Sequence, residues 1–433
     1  MLNTLRNAWK IEELRRKLLF MLFIVLIYRL GNAVTVPFIN SGLLEAYFVN
    51  QQNTILGMLN TMSGSALERA SIFALAIQPY INASIIIQLL TVAIPALERL
   101  SKEGGEDGKK KLEKITRYTT IAIALLQAFG YYQLLRFGMG SDTVVDMTIA
   151  GSFWTPVVIV GTFMAGSVLV MWFGEQITEF GIGNGISIIL FVSIVSRFPS
   201  SIGSLITNSI AAPSKSWIYA LMLIGALAIM VLIVIVQESE RRIPIQYTKQ
   251  TRGRRMYGGQ STHLPIKVNM SGVLPIIFAQ SIASVPATIV AFVPKWQNGW
   301  VSKHFGTTSW VYMVVYFLLI VFFSYFYSTI QMNPIEVSNN LKKNGGMIPG
   351  IRPGRPTSDF IRRVLGKVTL FGSLYLGVIA IGPLLVSHFS PTAASSGIQM
   401  GGTSIIIVIS VALETIKQLE AQMLMRHYKG FLE

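Results

Sequence analysis

Few residues in this chain could make or break a covalent bond. Its four histidines, His263, His304, His388 and His427, lie far apart at loops or helix ends, and cysteine is absent. That excludes a disulfide framework, a thiolate zinc site and a cysteine nucleophile. No His-Glu-x-x-His pattern and no G-x-x-x-x-G-K-S/T phosphate loop occurs. Gly181-Ile-Gly-Asn-Gly185 has the glycines of a turn, but lacks dinucleotide-fingerprint spacing and leads into an apolar stretch. No Ser/His/Asp set stands out. The reading is a protein with no catalytic residue, no metal site and no cofactor, and not an enzyme.

What could do chemistry instead is charge. The 433 residues carry 36 Lys and Arg against 20 Asp and Glu, a formal net charge of +16. Charged residues make up only 13% of the chain, about half the share of a soluble domain. The mean hydropathy is +0.55. A soluble chain of this length would need more polar surface to cover its core, so the composition points to a membrane protein.

Ten stretches are long enough to cross a bilayer, which takes about 20 apolar residues. They are Leu18–Val36, Ser71–Ile94, Ile115–Leu135, Thr155–Phe173, Gly185–Ile206, Trp217–Val236, Val268–Phe292, Trp310–Ile330, Val364–His388 and Thr403–Lys417, the last extending at both ends. Trp217–Val236 has no charge and twelve Leu, Ile or Val residues, which favour insertion by about 4–7 kcal/mol. Ser71–Ile94 contains Gln78, Pro79, Asn82 and Gln88, and a polar span of this kind faces protein or water. Acids avoid the spans: Glu175 and Glu179 follow the fourth, and Glu414 lies near the inner end of the tenth. That disfavours an ion-driven carrier and leaves a small-solute facilitator open.

With the N-terminus inside, inner segments hold 29 Lys and Arg and outer segments 6. This is a positive-inside assignment with both termini cytoplasmic. Ten spans divide into five and five, residues 1–215 and 216–433, and an odd number per half forces opposite topology, the arithmetic of an inverted repeat.

Two inner loops are long. In Glu238–Lys267, Ile243–Thr248 and His263–Val268 read as short strands, with Arg252-Gly-Arg-Arg255 as a basic tip. Gln331–Lys367 contains a Pro/Gly loop, Gly345 to Gly354, presenting Arg352. Such charges enforce topology and touch anionic lipid head groups. A projecting positive hairpin with Tyr247 and Tyr257 also suits a large anionic partner, such as RNA or an acidic protein face. A membrane scaffold recruiting RNA-bearing particles therefore stays open too.

Four stretches carry a resemblance: Ala70–Ser84 (ASIFALAIQPYINAS), Trp172–Ser187 (WFGEQITEFGIGNGIS), Gly259–Met270 (GQSTHLPIKVNM) and Ile348–Gly354 (IPGIRPG). In them, and over essentially its whole length, the chain resembles the SecY family, channel subunits of the bacterial protein-translocation complex. The resemblance implies an all-α fold of ten transmembrane helices, in two inverted five-helix halves around a central pore, with a short plug helix. It implies a plasma-membrane channel for unfolded, signal-bearing preproteins, with the small subunits SecE and SecG, the SecA ATPase and the ribosome as partners.

Carried onto this chain, the pore ring is Ile81, Ile85, Ile186, Leu190, Ile277 and Ile407. Family members mostly have Ile where this chain has Leu190. Within the second and fifth spans the pairs are four residues apart and share a face. The plug falls at about residues 54–69, with Gly57, Met58, Leu59, Met62, Ser63, Gly64 and Leu67. Gln88, Gln127 and Asn269 become the polar residues that hold a lateral gate shut. Arg254, Arg255 and Arg352, in the loops 238–267 and 331–367, become the docking surface for the motor or ribosome.

Overall fold

An apolar stretch in lipid has no water for its peptide groups, so it must satisfy them internally, and a helix does so residue by residue. All ten stretches carry helix in the computed structural model. It describes residues 2–50, 55–102, 104–137, 144–146, 151–211, 213, 216–247, 250–252, 255–257, 261–270, 272–292, 304, 306, 309–389 and 402–429. The helices are α1 (Leu2–Lys10), α2 (Glu12–Ala33), α3 (Ser41–Asn50), α4 (Ile55–Ser63), α5 (Gln78–Ala93), α6 (Pro95–Lys102), α7 (Gly105–Phe137) and α8 (Gly151–Phe180). There follow α9 (Gly185–Val195), α10 (Phe198–Ala211), α11 (Ser216–Glu238), α12 (Leu274–Phe292), α13 (Trp310–Gln331), α14 (Pro334–Lys343), α15 (Arg355–Phe389) and α16 (Gly402–Lys429).

Among the described residues, six helical runs are long and apolar enough to cross a membrane: Phe153–Phe180, Gly185–Ala211, Ser216–Glu238, Trp310–Lys343, Arg355–Val386 and Gly402–Leu424. A seventh is formed if α5 and α6, bent by 105° at their junction, make one span. The other stretches fall on α2, which carries Arg16, Lys17 and Arg29, on α7, diluted by tyrosines and glutamines, and on the short α12.

Several boundaries differ from the expectation. The second span does not begin at Ser71: residues 64–77 run as turns and the helix opens at Gln78 with Pro79 in its first turn. Ala70 and Ala76 there hold φ of 44° and 47°, which no helix accommodates. The fifth span is two helices broken at Ser196–Arg197, just ahead of Phe198-Pro199. The loop 331–367 is built, not open: it holds α14, a two-residue strand and the start of α15.

Contacts gather the chain into two units, one of residues 1–219, 281–313 and 383–433, the other of residues 220–280 and 314–382. In the first, a core of Val36, Leu44, Leu67, Tyr131, Leu135 and Phe163 joins α3, α7 and α8 to the segment after α4. α2 turns Leu14, Leu18, Ile24 and Tyr28 inward and leaves Leu22, Phe23, Leu26 and Leu30 exposed, an apolar face that suits lipid. Tyr28 stacks on Phe73 at 5.7 Å and its hydroxyl shares a hydrogen bond with Ser193 at 2.7 Å. Gly185 opens α9 where any Cβ would strike the Gly174 carbonyl of α8. Asn184 caps that helix, its Oδ1 accepting from the amides of Ile186 (3.0 Å) and Ser187 (3.3 Å).

The second unit contains a small sheet, ordered β4–β1–β5 from β1 (Glu240–Tyr247), β4 (Ser261–Lys267) and β5 (Gly346–Met347). β1 and β4 pair antiparallel from Glu240 opposite Lys267 to Gln246 opposite Ser261. Pro244 is tolerated in β1 because β5 covers only Gln246 and Tyr247. The alternation buries Ile243, Ile245 and Ile266 against Leu341 of α14, Ile348, and Ile361 and Leu365 of α15. A second ribbon pairs β2 (Gln250–Arg252) with β3 (Arg255–Tyr257), with Arg252 opposite Arg255.

Ile266 is fully buried in this cluster. Replacing it with Ala should cost about 2–5 kcal/mol and loosen the sheet without unseating the membrane helices. Limited trypsin digestion of membranes should then cleave at Arg241 and Arg242 several times faster than in the parent.

Candidate functional site

The aliphatic residues singled out for a ring do not lie on exposed helix faces. Ile81 and Ile85 on α5, Leu190 on α9, Ile277 on α12 and Ile407 on α16 are at most 5% exposed, and Ile186 is half-buried beside Gly174. In the first unit α16 packs on α9, which brings the helix of Ile407 against that of Ile186 and Leu190. Ile277 belongs to the second unit, where the adjacent Phe278 packs on Phe323 and Tyr327 at ring distances of 6.0 and 5.1 Å.

α4 and its continuation to Glu68 are tied down by a set of single polar contacts. Asn60 Nδ2 donates to Glu68 Oε2 at 2.6 Å, and the Glu68 amide returns a bond to Asn60 Oδ1 at 3.0 Å. The Ser63 hydroxyl donates to the Asn60 carbonyl and accepts from the Leu67 amide. From outside come Tyr131 of α7, whose hydroxyl donates to the Leu67 carbonyl at 2.6 Å, and Gln78 of α5, whose Nε2 donates to Met62 Sδ at 3.3 Å. Arg197 donates to Thr61 Oγ1 at 3.0 Å, and Tyr312 reaches Met58 Sδ at 3.9 Å. Gly57, Met62, Ser63, Gly64 and Leu67 are buried, and Met58 and Leu59 are half-buried. The helix itself ends at Ser63, because Gly64 and Ser65 take φ of 69° and 70°. Thr54 lies outside the described residues.

A cavity of about 390 Å³ opens beside this segment, within the first unit. Leu56, Leu59 and Leu67 form one wall, Gln78 and Asn82 of α5 a second, Ile123, Leu126 and Gln127 of α7 a third, and Ser284, Val285 and Thr288 of α12 a fourth. Its lining is mostly apolar, with Gln78, Asn82, Gln127, Ser281 and Ser284 among the few polar groups. Ser281, Ser284 and Thr288, spaced three and four apart on α12, share one helix face and line this wall, a polar spacing that the sequence itself displays.

Two of the three polar residues assigned to a gate bond close to where they sit in the chain. Gln88 Nε2 donates to Ser84 on its own helix at 3.2 Å. Asn269 donates to the Gly272 carbonyl at 3.0 Å and to Gln237 Oε1 at 3.4 Å, which fixes the turn into α12. Gln127 alone of the three lines the cavity.

Of the docking arginines, Arg352 is exposed on a loop pinned from both sides. The Ser338 hydroxyl donates to the Gly354 carbonyl at 2.7 Å, and the Thr357 hydroxyl to the Arg352 carbonyl at 2.8 Å. Ile348 is buried beneath it. Arg254 and the Arg255 side chain lie outside the described residues.

A family model described as SecY matches residues 71–416. The protein translocase subunit SecY of Streptomyces scabiei is 43% identical over 447 residues, covering 100% of both chains. That of Mycobacterium tuberculosis is 43% identical over 451 residues, again with 100% of both covered. A solved structure described as a protein-conducting channel matches with a TM-score of 0.67 at 16% identity, over 94% of this chain and 92% of that one. Sec61 from a canine ribosome-channel complex gives 0.64 at 15% identity, over the same shares. The structures share the fold, and the full-length sequence matches place the chain in the SecY family.

Proposed function

We propose that this chain is a protein-conducting channel: it passes unfolded, signal-bearing polypeptides across the bacterial plasma membrane and releases transmembrane segments sideways into lipid. The observation that carries the reading is the full-length match to translocase subunits at 43% identity. No catalytic chemistry is assigned to the chain itself. The energy comes from partners, the SecA ATPase or the ribosome, and SecE and SecG complete the assembly. Both termini face the cytoplasm, following the basic bias of the inner loops. Residues 1–215 and 216–433 form the two inverted halves.

Ile81, Ile85, Ile186, Leu190, Ile277 and Ile407 act as the ring. Aliphatic side chains offer an ion no ligand and favour dewetting, so a closed ring resists leakage. The same side chains bind no particular residue of a passing chain and re-close around whatever threads them. Residues 54–69 are the plug. Its ties are single hydrogen bonds of modest net strength, which suits a closure that opens for a substrate and returns. The cavity between α4, α5, α7 and α12 receives the incoming apolar signal segment, with Gln127 on its wall. Gln88, Gln127 and Asn269 are the polar residues that hold the lateral gate shut. Arg352, presented on its pinned loop, is the motor contact, together with Arg254 and Arg255.

The reading is tested by reconstituting the chain with SecE, SecG, SecA, ATP and an unfolded precursor, scored by protease protection. Protected precursor is expected. Arg352→Glu should lower it at least tenfold while the complex still assembles, and normal export by that variant would count against the docking role. Uptake of a defined small solute without any ATPase would favour a facilitator instead.

Replacing three or more ring residues with Gly or Ser should raise resting ion conductance in planar bilayers by an order of magnitude or more. Unchanged conductance would defeat the seal.

A further inference from the structure

Arg197 is the single charged side chain between Gly185 and Ala211, the run formed by α9 and α10. A cation in an apolar run is costly and marks a functional contact, with its partner to be named. Among the described residues no carboxylate lies within ion-pair distance of it. Its guanidinium is turned towards the segment after α3 instead, and Nη1 donates to Thr61 Oγ1 at 3.0 Å, across 136 residues of chain. Glu68 is close enough to act on it electrostatically. Asn60, only 2% exposed, holds Glu68 in place through the two bonds at 2.6 and 3.0 Å.

The seat beneath is made by the same helix end. Gly64, at φ 69°, sits so close to α9 that a Cβ would stand 2.8 Å from the Ser193 carbonyl oxygen and 3.1 Å from Ser196 Oγ. The break between α9 and α10 therefore both receives this segment and supplies the cation that grips it.

We infer that Arg197 is the latch of the closed channel. It positions residues 57–68 by donating to Thr61, and it lets go when the segment is displaced. This inference rests on the reading of that segment as the plug. One charge-assisted bond to a neutral acceptor sets the closed-to-displaced ratio by about tenfold or more. That is strong enough to bias the resting state and weak enough for a substrate to overcome.

The absence of natural cysteine makes the test clean. Ala66, 1% exposed at the heart of the segment, is replaced by Cys in the full complex in proteoliposomes, and labelling by a membrane-impermeant maleimide is timed. Arg197→Met keeps the stem and removes the donors, Thr61→Val removes the acceptor, and Arg197→Lys keeps the charge. Arg197→Met and Thr61→Val should each raise the labelling rate about tenfold and raise resting conductance, while Arg197→Lys stays near the parent. Thr61→Val keeps the test valid if Arg197→Met fails to accumulate. In a chain lacking Gly57–Leu67, conductance should be high and indifferent to the residue at 197. If that deletion leaks but Arg197→Met and Thr61→Val label at the parental rate, the latch is wrong and the plug reading survives. If the deletion does not leak, the plug reading itself fails.

Discussion

Peptide groups inside an apolar slab must find partners within the protein, and irregular backbone survives there only when every link is made. The segment from Gly64 to Gln78 meets that demand without a helix. The Ser65 amide bonds to the Asn60 carbonyl, Ala70 to Leu67, and Ser71 to Ala66, while Ala74, Ala76 and Gln78 each reach three residues back. Val36 and Ile72 bond across to Ala70 and Val34, which stitches the end of α2 to this segment. The rest of the first unit is arranged around it: Phe73 lies between Tyr28 and Phe173, and Tyr131 closes on Leu67. A helix through these residues would have been simpler and would have left no removable part. Short-range turns satisfy much of this backbone locally, which suits the proposed displacement of α4.

Helices in lipid gain little from burying apolar side chains against each other, because lipid is as apolar as leucine. Close packing and a few polar contacts then decide which helices associate. Gly185 against the Gly174 carbonyl and Tyr28 with Ser193 are of that kind. α11 shows the opposite case, a helix exposed at Leu221, Ile224, Val231 and Ile235 that makes few such contacts and presents lipid with a uniform surface. The sheet of the second unit obeys soluble-protein rules. Its isoleucines alternate, and burial against α14 and α15 is what holds it.

How much of this was readable from sequence follows from the range of each interaction. Each of the ten stretches that hydropathy located carries helix, since that signal is summed over some 20 neighbours, whereas the short helices α1, α3, α6 and α14 lie outside them. The strands at Ile243 and His263 were readable as short runs between turn signals, despite Pro244 and Pro265 within them. The helix start at Gln78 was not, because Ala70 and Ala76 adopt positive φ that neither residue type announces. Nor was the break at Ser196–Arg197, where the proline comes two residues later than the kink. The ties of Asn60 to Glu68 and of Arg197 to Thr61 join residues 8 and 136 apart, and no local pattern encodes them. The ring residues were located by resemblance alone, because an isoleucine in an apolar helix carries no mark of the direction it faces.

A pathway for arbitrary unfolded chains cannot use strong, specific contacts at its narrowest point, or each substrate would stall on a different residue. An aliphatic ring meets that condition but leaves closure weak, because an elastic seal has little to grip when empty. The deficit has to be made up beside the ring by contacts that do not touch the substrate. The polar ties on α4 and the residues after it have this character: they come from Gln78 of α5, Tyr131 of α7, Arg197 and Tyr312 of α13, each through a single bond. Several weak ties from separate elements suit the proposed plug, because together they hold a segment that none of them could hold alone. A single strong tie would have made closure tight and opening rare.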